Sequence, residues 1–159
     1  MKKFLEFVFH YVEVVCKLLM IVQVVAVSIV VIGRQVFSKT PAWGEELTLF
    51  ALVWVSMLGS MLLLESDGHI SVTAFDQWLP KKVIWFLDLL SYLFLLFFAG
   101  MMVFYGIKLM ELTSRNVMSA LQIKSSWLYA AVPVSSVGMI LVLLEKIYLL
   151  LRHKNPTIN

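Results

Sequence analysis

Histidine, cysteine and membrane-embedded carboxylates are the residue types here that could do chemistry, and each is scarce. The histidines are His10, His69 and His153. A haem anchor needs axial ligands, most often histidines inside its helices, and these three fall outside the apolar segments or at their ends. Cys16 is the only cysteine. A single copy therefore builds no disulfide framework, zinc cluster or thiol redox pair, and a quinone-linked disulfide enzyme is excluded with them. Cys16 lies in an apolar run and is expected to pack as a small hydrophobe. Glu13 is the residue nearest in kind to the embedded carboxylate of a small multidrug exporter. However, Lys17 follows it by four residues, the order that favours pairing on one helix face, and a lysine near a span end can snorkel to the interface. A transporter or proton pump usually keeps an ionisable group deep in the bilayer, and no apolar segment carries a charge near its centre. The deep polar residues are Gln23, Ser28, Ser56, Ser60, Ser91, Ser135 and Ser136. Serines in such helices serve packing or bond to the preceding turn. Ser56 and Ser60, with Gly59 beside them, form a small face. A substrate path is one reading of that face, and close approach of another helix is the preferred one. No catalytic, cofactor-binding or metal-binding residue is expected.

The elements that hold these residues follow from composition. Of 159 residues, 61% are apolar and 14% charged, against about 45–50% and 25% in soluble domains. So much apolar surface cannot be buried inside so small a fold, and lipid must cover the rest. The net charge of +3 is spread over helix ends, which suits membrane anchoring and gives no nucleic-acid surface. A helix needs about 20 mostly apolar residues to cross a bilayer, and four segments qualify, over about 15–33, 47–64, 83–107 and 127–144. The chain is expected to be an all-α integral membrane protein, residues 1–159 forming a single membrane domain. Its basic start, Met1-Lys2-Lys3-Phe4, resembles a signal peptide, and the first helix reads as an uncleaved signal anchor.

Between the first two spans, Thr40 can cap, Pro41 suits a first helical position, and Glu45 and Glu46 sit at the positive end of the helix dipole. Trp43 suits the water–lipid boundary. With Arg34 these groups read either as a plain helix start or as a docking patch. Over about 71–79, Val72, Phe75 and Trp78-Leu79 recur at helical spacing, which predicts a short amphipathic helix on the membrane surface. Asp88 lies inside the third span; it either reaches the interface and pairs with a lysine or bonds to a partner subunit. Pro133 is expected to bend the fourth helix. Eight Lys and Arg on the side of the termini against five on the other place both termini in the cytoplasm.

The order Arg34, Phe37, Pro41, Trp43, Glu45-Glu46, Trp54, Gly59, His69-Ile70, Leu79-Pro80, Ala120-Leu121, Ala131 and Pro133 resembles the small membrane subunit of tripartite ATP-independent periplasmic (TRAP) transporters. The resemblance runs from Arg34 to Pro133 and looks closest to members serving sialic acid. It implies a bacterial inner-membrane scaffold that carries no substrate itself. It also implies a large membrane subunit that binds sodium and substrate, and a soluble periplasmic protein that delivers an organic acid. Arg34, Trp43, Glu45, Glu46 and His69 carry over as structural or docking residues, and the Ser56, Gly59 and Ser60 face and Asp88 join them from the reading of the spans. Two readings of other classes stand beside it: a stand-alone homo-oligomeric small transporter, and a membrane anchor of a redox enzyme.

Overall fold

The computed structural model describes residues 2–37, 41–66 and 81–152. Helix α1 spans Lys2–Phe37, α2 Ala42–Glu65, α3 Lys81–Thr113, α4 Ser126–Tyr129 and α5 Ala131–Arg152. Four helical stretches are long and apolar enough to cross a membrane: Phe7–Val36, Ala42–Glu65, Val83–Thr113 and Ser125–Leu151. Among the described residues the fold is all-helical apart from one isolated bridge between Val117 and Lys124. The interfacial helix expected over 71–79 lies outside the described residues, as do Thr40 and His69.

The helices exceed the apolar segments because hydropathy marks the lipid boundary, whereas backbone bonding marks the helix end. Nothing between Lys2 and Val14 breaks a helix, so α1 begins well before residue 15 and runs 36 residues, about 54 Å at 1.5 Å per residue. The polar residues near its start align on an exposed face: Lys17 pairs with Glu13 at 2.7 Å, and His10 lies 3.9 Å from the same carboxylate. Helix α3 continues to Thr113, where Thr113 Oγ1 donates to the Leu109 carbonyl at 2.7 Å and Ser114 Oγ to that of Glu111 at 2.7 Å. These hydroxyls add side-chain bonds to carbonyls of the last turn, that of Glu111 also accepting the Ser114 amide at 3.2 Å. Pro41 stands at the N-cap of α2 rather than inside its first turn, and the Gly44 amide closes that turn on the Pro41 carbonyl at 3.0 Å. The fourth span is divided at Ala130. Pro133, in the first turn of α5, has no amide hydrogen to give the Tyr129 carbonyl, so the ladder is interrupted there.

Packing follows a heptad pattern on α1. Phe9, Cys16, Gln23 and Val30 recur every seventh residue, with Val12, Leu19, Ala26 and Gly33 between them, and all are buried or half-buried while most of the residues around them are exposed. This seam meets Gly44, Ala51 and Leu58 of α2, again seven apart and buried. Cys16 thus packs as a small hydrophobe. Small residues let two backbones approach closely without lipid-excluding bulk. A Cβ on Gly44 would strike Val30, one on Gly138 would strike Met61, and one on Gly106 would lie 2.9 Å from Pro133 Cδ. A glycine therefore marks each of three helix crossings: α1 on α2, α2 on α5, and α3 on α5.

Among the described residues the backbone of α1 lies close to that of α2 alone, α2 also to α5, and α5 to α3, with α4 touching α2, α3 and α5 at one end. The helices form an open row, α1–α2–α5–α3, in which the outer two do not meet. A buried cluster of Phe9, Met61, Leu64, Val142 and Leu143, flanked by Tyr92, Leu95 and Leu96, ties the row together towards the end that carries the termini. Large apolar side chains such as Leu18, Ile21 and Val25 on α1 and Phe94, Phe97 and Phe98 on α3 remain exposed.

Candidate functional site

With an even number of spans, the α1–α2 and α3–α4 connections share one side of the membrane, opposite both termini. That end holds Arg34, Trp43, Glu45 and Glu46, and the fold sets Glu46 apart from the other three. Arg34, Trp43 and Glu45 are exposed, Trp43 at 42%. Glu46, one residue further along α2, turns towards the rest of the row. Its Oε2 accepts from the backbone amides of Ala120 and Leu121, both at 2.9 Å.

Those amides belong to a hairpin over residues 116–125. Its arms are joined by the Val117–Lys124 bridge and by bonds from Ser125 N to Asn116 O (2.8 Å) and Met118 N to Ile123 O (2.9 Å). Gln122 sits in the left-handed region at φ 54°, which a non-glycine residue adopts at some cost. Four bonds hold the tip in that form: Gln122 N to Met118 O (3.0 Å), Gln122 Nε2 to Ser119 O (2.7 Å) and the two that the Glu46 carboxylate accepts from adjacent amides. Successive amides turned towards one point make a small anion-binding concavity, and here the anion is a side chain of the same protein. Eight residues further along α2, Trp54 Nε1 donates to the Trp127 carbonyl at 3.2 Å. Two side chains of α2 therefore hold the whole α3–α5 connection against the row.

Inside the spans, hydroxyls are satisfied by their own helices. Ser28, Ser60, Ser135 and Ser136 donate to carbonyls three or four residues earlier at 2.7–3.1 Å. Ser135 and Ser136 are fully buried and share the Val132 carbonyl. Among the described residues the face of Ser56, Gly59 and Ser60 has no helix packed on it: both serines are exposed, and a Cβ on Gly59 would find nothing within 4 Å. Within this chain, close helix approaches occur at Gly44, Gly106 and Gly138. Gly59 borders an open groove between α1 and α2, with Phe9, His10, Glu13, Leu62 and Glu65 along it. Asp88 is half-buried on α3 and has an interaction partner, while Lys17 is engaged by Glu13 on the far side of the row. Nearby, Trp85 Nε1 reaches the Leu150 carbonyl at 3.5 Å, linking α3 to α5 near the terminus-bearing end. Sequence reasoning missed the hairpin and its two tethers. The signal was faint: Ala120-Leu121 follow no breaker, and two backbone amides leave no mark in side-chain chemistry.

Comparison with known proteins places the chain in a lineage. The family model of the DctQ component of tripartite ATP-independent periplasmic transporters matches residues 6–153. The chain is 25% identical over 151 residues to the sialic acid TRAP transporter small permease protein of Vibrio cholerae, covering 94% of this chain and 87% of that one. It is 26% identical over 109 residues to the sialic acid TRAP transporter permease protein of Haemophilus influenzae, covering 69% of this chain. The matched stretch is 18% of that longer relative.

Proposed function

Because the chain belongs to the DctQ component family of tripartite ATP-independent periplasmic transporters, we propose that it is a non-transporting scaffold subunit. In this reading it steadies a large membrane subunit that uses sodium to take up an organic acid delivered by a periplasmic binding protein. The chain is a multi-pass membrane protein and a transporter component.

The open row is the observation that carries the scaffold reading. Four helices that left their outer pair apart expose both flanks and the Ser56, Gly59 and Ser60 face. Apolar area alone gives no association energy between helices in lipid, so a stable complex rests on close packing against small residues and on polar contacts at the boundaries. The Haemophilus influenzae relative, in which the matched stretch is a minor part of one long permease chain, supports a larger membrane partner. The names of both relatives favour sialic acid among organic acids. In a bacterial inner membrane, eight Lys and Arg on the terminus side against five opposite favour cytoplasmic termini and a periplasmic hairpin.

The test is reconstitution in liposomes with a sodium gradient and sialic-acid-loaded binding protein. Uptake is expected only with both membrane subunits present, together with co-purification of the pair. Uptake by this chain alone would overturn the scaffold reading.

A further inference from the structure

We propose that the hairpin over residues 116–125 is a docking element for an acidic face of the soluble binding protein; this rests on the transporter reading above. The first observation is its organisation. A connection outside the apolar spans is fixed by a bridge, a strained Gln122, a carboxylate on two tip amides and an indole tether at its base. None of its residues is fully buried: Asn116, Val117, Ser119, Gln122, Ile123 and Lys124 are exposed, as is Arg115 at its base, and the other four are half-buried. Fixing a loop before binding lowers the ordering cost of association. That advantage is realised against a partner of fixed shape rather than a fluid headgroup layer.

Charge supplies the second observation. No Asp or Glu occurs between Glu111 and Glu145, so Arg115 and Lys124 give the hairpin two positive charges and no negative one. Neither is in an ion pair among the described residues. Of the acids at this end, Glu46 is taken up by the tip amides, while Glu45 and Glu111 lie on the helices outside the hairpin. Val117 stands across the bridge from Lys124 and is 51% exposed, which places an apolar contact beside the cation. Complementary rim charges raise the association rate and fix orientation more than they add affinity. Such an element suits a delivery protein that must dock and leave in every cycle.

The experiment uses both membrane subunits in proteoliposomes, with sialic-acid-loaded binding protein varied outside. Arg115→Glu with Lys124→Glu should raise the binding-protein concentration for half-maximal uptake about tenfold, with the maximal rate retained. The difference should shrink when salt is raised from about 50 to about 500 mM, because exposed charges are then screened. Arg115→Lys with Lys124→Arg should stay close to wild type. An unchanged half-saturating concentration in the reversed variant, with wild-type uptake dependent on the binding protein, would overturn the docking role alone. Wild-type complex that needs no binding protein would overturn the transporter reading and the docking role together. A reversal effect present in vesicles with anionic lipid and absent in zwitterionic vesicles would assign the hairpin to lipid and refute the proposal.

Discussion

Replacing Glu46 with alanine should loosen the hairpin while leaving the four spanning helices in place. In the structure the carboxylate receives two backbone amides at 2.9 Å in a half-buried setting. A hydrogen bond to a charged group contributes about 1.5–3 kcal/mol, and exposure to water reduces this. A total of about 2 kcal/mol for the pair is a fair working figure, since the freed amides can turn to solvent. At about 1.4 kcal/mol per factor of ten, amide exchange over residues 116–125 should quicken about thirtyfold. Glu46→Gln keeps an acceptor and loses the charge, so it should quicken exchange about fivefold. Glu45→Gln is the control, because Glu45 is exposed one residue away and the tip amides bond to Glu46. The assay is hydrogen–deuterium exchange with mass spectrometry on protein in lipid nanodiscs, reading peptides of the hairpin and of α2 separately. Unchanged hairpin exchange in Glu46→Ala, or an equal effect from Glu45→Gln, would refute the carboxylate clamp. The outcome also separates two neighbouring acids that sequence alone treats as one patch.

Other substitutions test the packing and the topology. Gly106→Val should destabilise the chain by about 1–3 kcal/mol, the usual cost of overpacking, because Pro133 Cδ lies 2.9 Å from the position of a Cβ; thermal unfolding in detergent would read this. Gly59→Ala should be neutral or stabilising by up to about 1 kcal/mol in the isolated chain, as alanine is the better helix former and nothing lies within 4 Å; a loss of stability there would contradict the open face. Trp54→Phe should cost about 0.5–1.5 kcal/mol through the lost bond to the Trp127 carbonyl, with faster exchange confined to residues 125–131. For orientation, Ser119→Cys in a Cys16→Ser background should react with a membrane-impermeant maleimide in intact cells, and a cysteine appended after Asn159 only after permeabilisation; the reverse pattern would invert the proposed topology.

The sequence by itself determined the class, the number of spans and the family, because each depends on local chemistry. Long apolar runs must become helices in lipid, where every backbone group needs a partner within its own segment. The self-satisfied serines and the packed Cys16 were legible for the same reason: one residue and its own turn are enough to decide them. Only the tertiary structure decided which helices meet. Hydropathy says that a face is apolar and cannot say whether protein or lipid covers it, so Gly59 and Gly106 look alike in sequence although one is open and the other presses on Pro133. The same limit applies at the end opposite the termini. Glu45 and Glu46 are chemically identical, and the turn of about 100° per residue in α2 sends one to solvent and the other to a hairpin some 74 residues further along the chain. That separation exists because two backbone amides are brought under α2 by the packing of α3, α4 and α5, and backbone amides are common to nearly every residue.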